Sequence, residues 1–99
     1  MRRFYKTLTR LKNKLPTDFP VLVYIVSPNK IKGRYGECYK TEKRYIIRIA
    51  KSSWDLMKLI LIHEYAHAAS DWTQCDDCWH NEEWGKIYSL CWRIYAGED

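Results

Sequence analysis

The segment His63-Glu64-Tyr65-Ala66-His67 places two histidines four residues apart, with a glutamate directly after the first. On an α-helix a four-residue step advances about one turn, so both imidazoles lie on one face and can reach the same divalent metal ion. Glu64 lies beside that pair, where a carboxylate can accept a proton from a water molecule at the open position of the metal. This H-E-x-x-H arrangement predicts that His63 and His67 bind one zinc ion and that Glu64 serves as a base.

His80 is the only other histidine in the chain, and its distance from His67 suits a third ligand after a turn. We therefore expect one Zn2+ held by His63, His67 and His80, with its fourth position open. Glu82 or Glu83 would replace His80 if the imidazole of His80 points away. No glycine and third histidine follow directly behind His67, which disfavours the metzincin class. The alternative without a metal is a pair of helix histidines that are satisfied by hydrogen bonds.

Four cysteines, Cys38, Cys75, Cys78 and Cys91, occur in a chain whose first fifteen residues lack the apolar run and cleavage site of a secretory signal. No apolar run reaches the length needed to span a membrane. We therefore expect an intracellular or cytoplasmic protein, not a secreted one, with reduced thiols. Cys75 and Cys78 form a single C-x-x-C, whereas a structural zinc site usually needs a second pair. Plain loop thiols, a second metal site with Cys38 or Cys91, and a redox pair all remain open.

Apolar residues place the H-E-x-x-H segment on a helix over residues 52–69, because their series is too long for a strand. This helix is apolar enough to be largely buried. Ser52 or Ser53 is expected as its N-cap, with Asp55 in the first turn. A last helix begins after Asn81 and ends at Gly97, a residue type that commonly terminates helices.

Residues 1–51 supply the elements expected to support the metal-binding helix. A basic amphipathic helix is expected at residues 3–15. Three strands are expected at residues 21–26, 33–39 and 44–50, with a hairpin turn at residues 40–43 between the last two. Gly36 indicates a bulge or close packing against a helix. In the last strand, Ile47 and Ile49 are expected to face one side, with Ile46 and Arg48 on the other. The order α-β-β-β-α-α predicts one α+β domain over the whole chain, with helices layered on a small sheet.

The net charge of +5 is divided unevenly along the chain. Residues 1–51 contain fourteen Lys or Arg and three acidic residues, whereas residues 52–99 contain three Lys or Arg and nine acidic residues. A basic surface of this kind is typical of proteins that contact a phosphate backbone or an acidic protein. The candidate DNA contacts are the basic residues of the first helix: Arg2, Arg3, Lys6 and Arg10. The alternative is a solvated charged surface, because no nucleic-acid-binding motif accompanies the charge.

A hairpin containing Gly36, a helix with H-E-x-A-H, and His80 four residues before Trp84 together resemble the SprT-like zinc metallopeptidases, the group that includes Spartan. The resemblance extends over roughly residues 20–95. It implies a minimal zincin-like fold, made of an N-terminal helix, a three-stranded sheet, the H-E-x-x-H helix and a C-terminal helix. It also implies that His63, His67 and His80 are the ligands and that Glu64 is the catalytic base. The family's link to proteins crosslinked to DNA would give the basic half a purpose.

Peptide-bond hydrolysis is the reaction that such a site predicts. Glu64 would take a proton from zinc-activated water as the water attacks a peptide carbonyl, and would pass it to the leaving amine. Tyr88 or Tyr95 is a candidate for stabilising the oxyanion, although either residue could equally be core. A peptide substrate could add a strand to an exposed sheet edge, for which we expect the strand at residues 44–50.

Two readings without proteolysis remain open. The chain could be a zinc-stabilised structural or binding protein within a larger assembly, for example a viral one, which its compact length would suit. It could also be a DNA-binding module in which the metal only stabilises the fold. The presence of Glu64 favours an enzyme, because a purely structural zinc site has no need of that carboxylate.

Overall fold

The computed structural model describes residues 2–70 and 82–97 of the chain. Within this part, the elements are α1 (Arg2–Lys14), β1 (Val21–Val26), a 3-10 turn (Pro28–Lys30), β2 (Gly36–Lys40), β3 (Tyr45–Ala50), α2 (Trp54–Ala69) and α3 (Glu82–Ala96). The predicted order and the α+β class are confirmed, and most predicted boundaries are correct within two residues. None of the described helices is long and apolar enough to cross a membrane.

The three strands form one mixed sheet in the order β1-β3-β2, with β1 parallel and β2 antiparallel to β3. The prediction that residues 44–50 form an exposed edge was therefore wrong, because β3 is the central strand. Its sequence YIIRIA explains this placement, since every residue except Arg48 is buried, as in a strand flanked on both sides. Among the described residues, no strand pairs with the outer edges of β1 and β2, which are the free edges of this sheet.

The second strand also begins later than predicted. Residues 33–39 were expected to be extended, but β2 starts only at Gly36. Lys32 and Gly33 have φ values of 33° and 78°, and this left-handed backbone belongs to a turn and not to a strand. The turn follows the 3-10 segment and directs the chain back toward β3.

The hydrogen bonds at the two ends of β2 fix which of its backbone groups face outward. The Ala50 N–H donates to the Tyr35 carbonyl over 2.9 Å, and the Thr41 N–H donates to the Arg44 carbonyl over 2.8 Å. Because antiparallel pairing alternates, the odd-numbered residues of β2 bond to β3. The backbone N–H and C=O groups of Gly36, Cys38 and Lys40 therefore point toward the free edge.

Helix α2 lies at the centre of the molecule, against β2 and β3 on one side and against α1 and α3 on others. The Ser53 hydroxyl accepts a hydrogen bond from the Leu56 N–H at 3.2 Å, which confirms the predicted N-cap. The Tyr65 hydroxyl donates to the Leu15 carbonyl over 2.8 Å and ties α2 to the end of α1. Near the carboxyl end of the chain, Gly97 has a φ of +83° and ends α3 as predicted. Burial on several sides holds α2 in one position relative to the sheet.

Candidate metal centre

His63 and His67 lie on one face of α2, and their imidazole ring centroids are 5.1 Å apart. Two imidazoles that bind one zinc ion through nitrogens at about 2.0–2.1 Å, at a tetrahedral angle, have ring centres roughly 5 Å apart. His67 is only 7% exposed, whereas His63 is partly exposed. The pair therefore has the separation that a shared ion requires, with one ring buried and the other nearer to solvent.

Glu64 is buried next to this pair, with 7% of its surface exposed. Burial, which disfavours the charged carboxylate, raises the pKa of Glu64 to about 7. The nearby Glu37 carboxylate raises this pKa further, and the Arg34 guanidinium opposes both effects. Glu37 itself forms an ion pair with Arg48 at 3.1 Å. A carboxyl group that titrates near neutral pH can both accept and release a proton, which a general base in hydrolysis must do.

The absence of a side chain at Gly36 allows β2 to approach α2 at this point. A Cβ atom built on Gly36 would lie 2.5 Å from Ile60 Cγ2, 3.3 Å from the Arg48 carbonyl oxygen and 3.4 Å from Glu64 Cγ. The predicted close packing of Gly36 against a helix is thereby confirmed, and the alternative of a bulge is not needed. This contact places the first residue of the free β2 edge directly against the Glu64 side chain.

Aromatic residues of α3 cover the other side of the histidines. The Trp84 ring centroid lies 5.1 Å from that of His63 and 5.3 Å from that of His67. Tyr88 stacks on Trp84 with centroids 4.6 Å apart, and its ring lies 5.9 Å from His63. The contact of Trp84 with both imidazoles was not predicted from the sequence. The spacing of Trp84 from His80 was the available signal that this residue belongs to the site.

Tyr88 and Tyr95, the two predicted oxyanion candidates, occupy different places. Tyr88 borders His63, whereas the Tyr95 ring lies beneath the Lys58 Nζ, 5.1 Å from its centroid, and packs against Trp92. Tyr95 thus lies at the opposite end of the α2–α3 contact from His67 and Trp84. Tyr88 is the remaining candidate.

The other predicted ligands are only partly placed. Glu82 and Glu83 are exposed, and Glu82 pairs with Lys86 at 3.8 Å. Among residues 2–70 and 82–97, no three His, Cys, Asp or Glu side chains come together in a group that could hold a metal. The structure therefore does not place Glu82 or Glu83 with the histidines. His80, Asn81, Cys75 and Cys78 lie outside the described residues, so His80 stays a prediction as the third ligand.

Cys38 and Cys91 are free and buried. Burial raises the pKa of the Cys91 thiol to about 12, and burial together with the Glu64 carboxylate raises the pKa of Cys38 even more. A metal ligand must be a thiolate, which these surroundings disfavour. The structure therefore gives no support for a second metal site at either residue.

The candidate DNA contacts on α1 divide into two kinds. Arg3 and Lys6 are exposed. Arg10 is partly buried, and its Nε is a buried atom without a hydrogen-bond partner among the described residues. A Cβ built on Gly97 would lie 3.6 Å from Arg10 Nη2, so this guanidinium lies at the carboxyl end of α3, where a cation is favoured. The contact of Arg10 with DNA stays a prediction, and the structure places its guanidinium beside the end of α3. Arg2 lies in α1, at its first residue.

Comparisons with known proteins give no further assignment. No protein-family model, curated protein or solved structure significantly matches this chain.

Proposed function

We propose that this protein is a zinc metallopeptidase of the SprT-like type. The observation that carries the proposal is the buried Glu64, which lies between a histidine pair of zinc-ligand separation and the free edge of β2. A purely structural metal site does not need a buried carboxyl group beside its ligands, since burying that group costs free energy.

His63 and His67 would hold the metal, with His80 proposed as the third ligand. When bound, zinc supplies a Lewis acid that polarises a carbonyl and lowers the pKa of water. Trp84 packs against both imidazoles and limits their movement and their access to solvent. The side chains around these histidines carry out the remaining steps of the reaction.

Glu64 transfers the proton of the attacking water. Its carboxylate accepts a proton from the attacking water and then donates that proton to the nitrogen of the leaving amine, so that the glutamate returns to its starting state. A pKa near 7 suits both transfers at neutral pH. The ring of Tyr88 lies close enough to His63 for its hydroxyl to be proposed as a donor to the developing oxyanion.

We propose β2 as the strand that holds the substrate. Gly36 and Cys38 direct their backbone N–H and C=O groups toward the free edge. An extended peptide that pairs with this edge would pass beside Glu64, because Gly36 lies against that residue. This assignment replaces the strand at residues 44–50, whose two edges are both occupied.

The catalytic part of the proposal is tested with Glu64→Gln on an unfolded protein substrate such as reduced casein. We expect zinc-loaded wild type to cleave and Glu64→Gln to lose at least about 100-fold in rate while retaining zinc. The matched control is Glu42→Gln, which changes an exposed glutamate in the turn between β2 and β3 and should leave the rate unchanged. Equal cleavage by wild type and Glu64→Gln, or no cleavage by zinc-loaded wild type, would contradict the peptidase assignment.

Metal binding is tested separately by measuring zinc per chain with mass spectrometry. We expect about one zinc ion in the wild type and a large loss of affinity in His67→Ala and in His80→Ala. Unchanged affinity in His80→Ala would exclude that residue as a ligand without affecting the assignment of His63 and His67.

DNA-associated proteins are the substrate class that we propose for this activity. The exposed Arg3 and Lys6, within a half-chain rich in basic residues, support this class. The affinity for duplex DNA should fall steeply with salt, and Lys6→Gln should reduce that salt dependence. A salt-independent affinity would exclude phosphate contacts and leave the peptidase proposal in place.

A further inference from the structure

One face of α2 carries apolar side chains that no described element covers completely. Leu56 and Leu59 are 37% and 44% exposed. At about 100° per residue, these side chains lie within about 20° and 40° of the direction of His63 around the helix axis. The exposed leucines and the histidine therefore share one face, hereafter the open face of α2.

The free edge of β2 borders this open face. Gly36 lies against Ile60 and Glu64, which are about 60° and 100° around the helix from His63. Cys38, two residues further along β2, is buried in the same core cluster as Met57 and Leu61 of α2, so β2 stays beside α2 as it advances. A peptide strand paired with this edge would lie over His63, Leu56 and Leu59.

We propose that Leu56 and Leu59 form binding subsites for large apolar side chains of the peptide substrate, an inference that rests on the proposed function. The occupant follows from the chemistry of the face: the backbone groups of Gly36 and Cys38 point toward the edge with which a strand can pair, and the two leucines beside His63 are apolar. Trp54, although 40% exposed, is not part of these subsites, because it points to the opposite side of α2 and packs on Phe4.

The spacing along α2 gives the positions of the two subsites. Leu59 and Leu56 are four and seven residues from His63, which corresponds to about 6 Å and about 10 Å along the axis. An extended peptide advances about 3.3 Å per residue. The two leucines therefore contact substrate side chains about two and three residues from the scissile bond, on one side of it.

The test compares zinc-loaded wild type with Leu59→Asp and Leu56→Asp. The cleavage products of casein are mapped by mass spectrometry, and peptides are assayed that carry leucine, serine or lysine at the second and third positions from the cleaved bond. For wild type we expect at least a tenfold preference in kcat/KM for leucine over serine on one side of that bond. The Leu59→Asp variant should lose this preference and should gain relative activity on the lysine peptide.

The matched control is Tyr24→Asp, because Tyr24 is 49% exposed and lies on the face of the sheet that points away from α2. It should leave the preference unchanged. Urea unfolding of each variant excludes a folding defect as the cause of any change. An unchanged cleavage profile in both leucine variants, with wild type active, would overturn the subsites and leave the peptidase assignment standing.

A second measurement does not depend on turnover. The Glu64→Gln variant, with and without Leu59→Asp, is titrated with the fluorescently labelled leucine and serine peptides. We expect the leucine peptide to bind at least fivefold more tightly than the serine peptide, and only when Leu59 is present. Equal binding of the two peptides would overturn the inference even if the chain proves to have no peptidase activity.

Discussion

The two faces of α2 carry similar apolar residues, but these residues are buried on one face and exposed on the other. On the inner face, Leu61 and Tyr65 have no exposed surface and join the helix to the sheet and to α1. On the open face, Leu56 and Leu59 remain exposed beside the partly exposed His63. The difference is produced by what surrounds the helix, because β2, β3, α1 and α3 cover some sides and leave one open. The inner face determines stability, and the open face is available for chemistry.

The largest expected difference between the faces is obtained by truncating one leucine on each. Leu61→Ala should lower the free energy of unfolding by about 2–5 kcal/mol, because it leaves a cavity in a closely packed core. Leu59→Ala should change it by less than about 0.5 kcal/mol, since that side chain is already in contact with water. Urea unfolding with a chelator present measures both values without a contribution from metal. Similar losses of unfolding free energy in the two variants would mean that Leu59 is packed as closely as Leu61.

The sequence predicted the local features of α2 and α3 more successfully than the way these helices are surrounded. Ser53 and Gly97 were identified correctly because capping and termination depend on neighbouring residues. The central position of β3 was missed, because strand order depends on pairing between distant segments that periodicity does not encode. For the same reason, the apolar run predicted a largely buried helix but not which residues stay exposed, since the exposure of Leu59 is decided by which elements pack nearby.

At the candidate site, residue types were predictable from the sequence, but their neighbours were not. The spacing of His63 and His67 follows from helix geometry alone, so their separation was predictable. The contact of Gly36 with Glu64 and the position of Trp84 beside both imidazoles depend on how β2 and α3 pack on α2. Gly36 was recognised as unusual, but the residue that it approaches could not be known in advance.

The contact between β2 and α2 separates the inner face of α2 from its open face. Adding one methyl group at Gly36 tests this contact. Gly36→Ala should destabilise the fold by about 1–3 kcal/mol, because the new Cβ would lie 2.5 Å from Ile60 Cγ2 and β2 must move away from α2. The same displacement should lower peptidase activity, since it separates the free edge from Glu64.

Ile60→Ala provides the control for this change. Removing the methyl group that the new Cβ meets should reduce the cost of Gly36→Ala by about 1 kcal/mol or more in a double-mutant cycle. Purely additive effects of the two substitutions would show that the contact between β2 and α2 is not as close as described.

Alkaline pH should weaken the core through its buried thiols, one of which is Cys91 of α3. Burial raises the pKa of this thiol from 9.0 to about 12 in the folded protein, so its contribution is complete below pH 9 and is lost as the pH rises toward 12. Between these values the unfolded chain binds fewer protons, and the free energy of unfolding should fall by about 1.4 kcal/mol per pH unit. Urea unfolding at pH 8.5 and 10.5 should show a smaller decline for Cys91→Ala. Equal declines would mean that Cys91 is ionised as readily in the folded state as in the unfolded one.

The smallest effect on stability, and the sharpest separation of the faces, is expected from two tyrosines. Tyr65→Phe removes the hydrogen bond to the Leu15 carbonyl and should cost about 1 kcal/mol of stability while leaving kcat/KM unchanged, although Tyr65 directly follows Glu64 in sequence. Tyr88→Phe should have the converse effect, with little loss of stability and a fall of about 100-fold in kcat if its hydroxyl stabilises the oxyanion. Urea unfolding and peptide cleavage are measured on both variants. If Tyr65→Phe lowers peptidase activity as much as Tyr88→Phe does, a residue on the inner face of α2 affects catalysis as strongly as one beside His63. The distinction between the two faces would then fail.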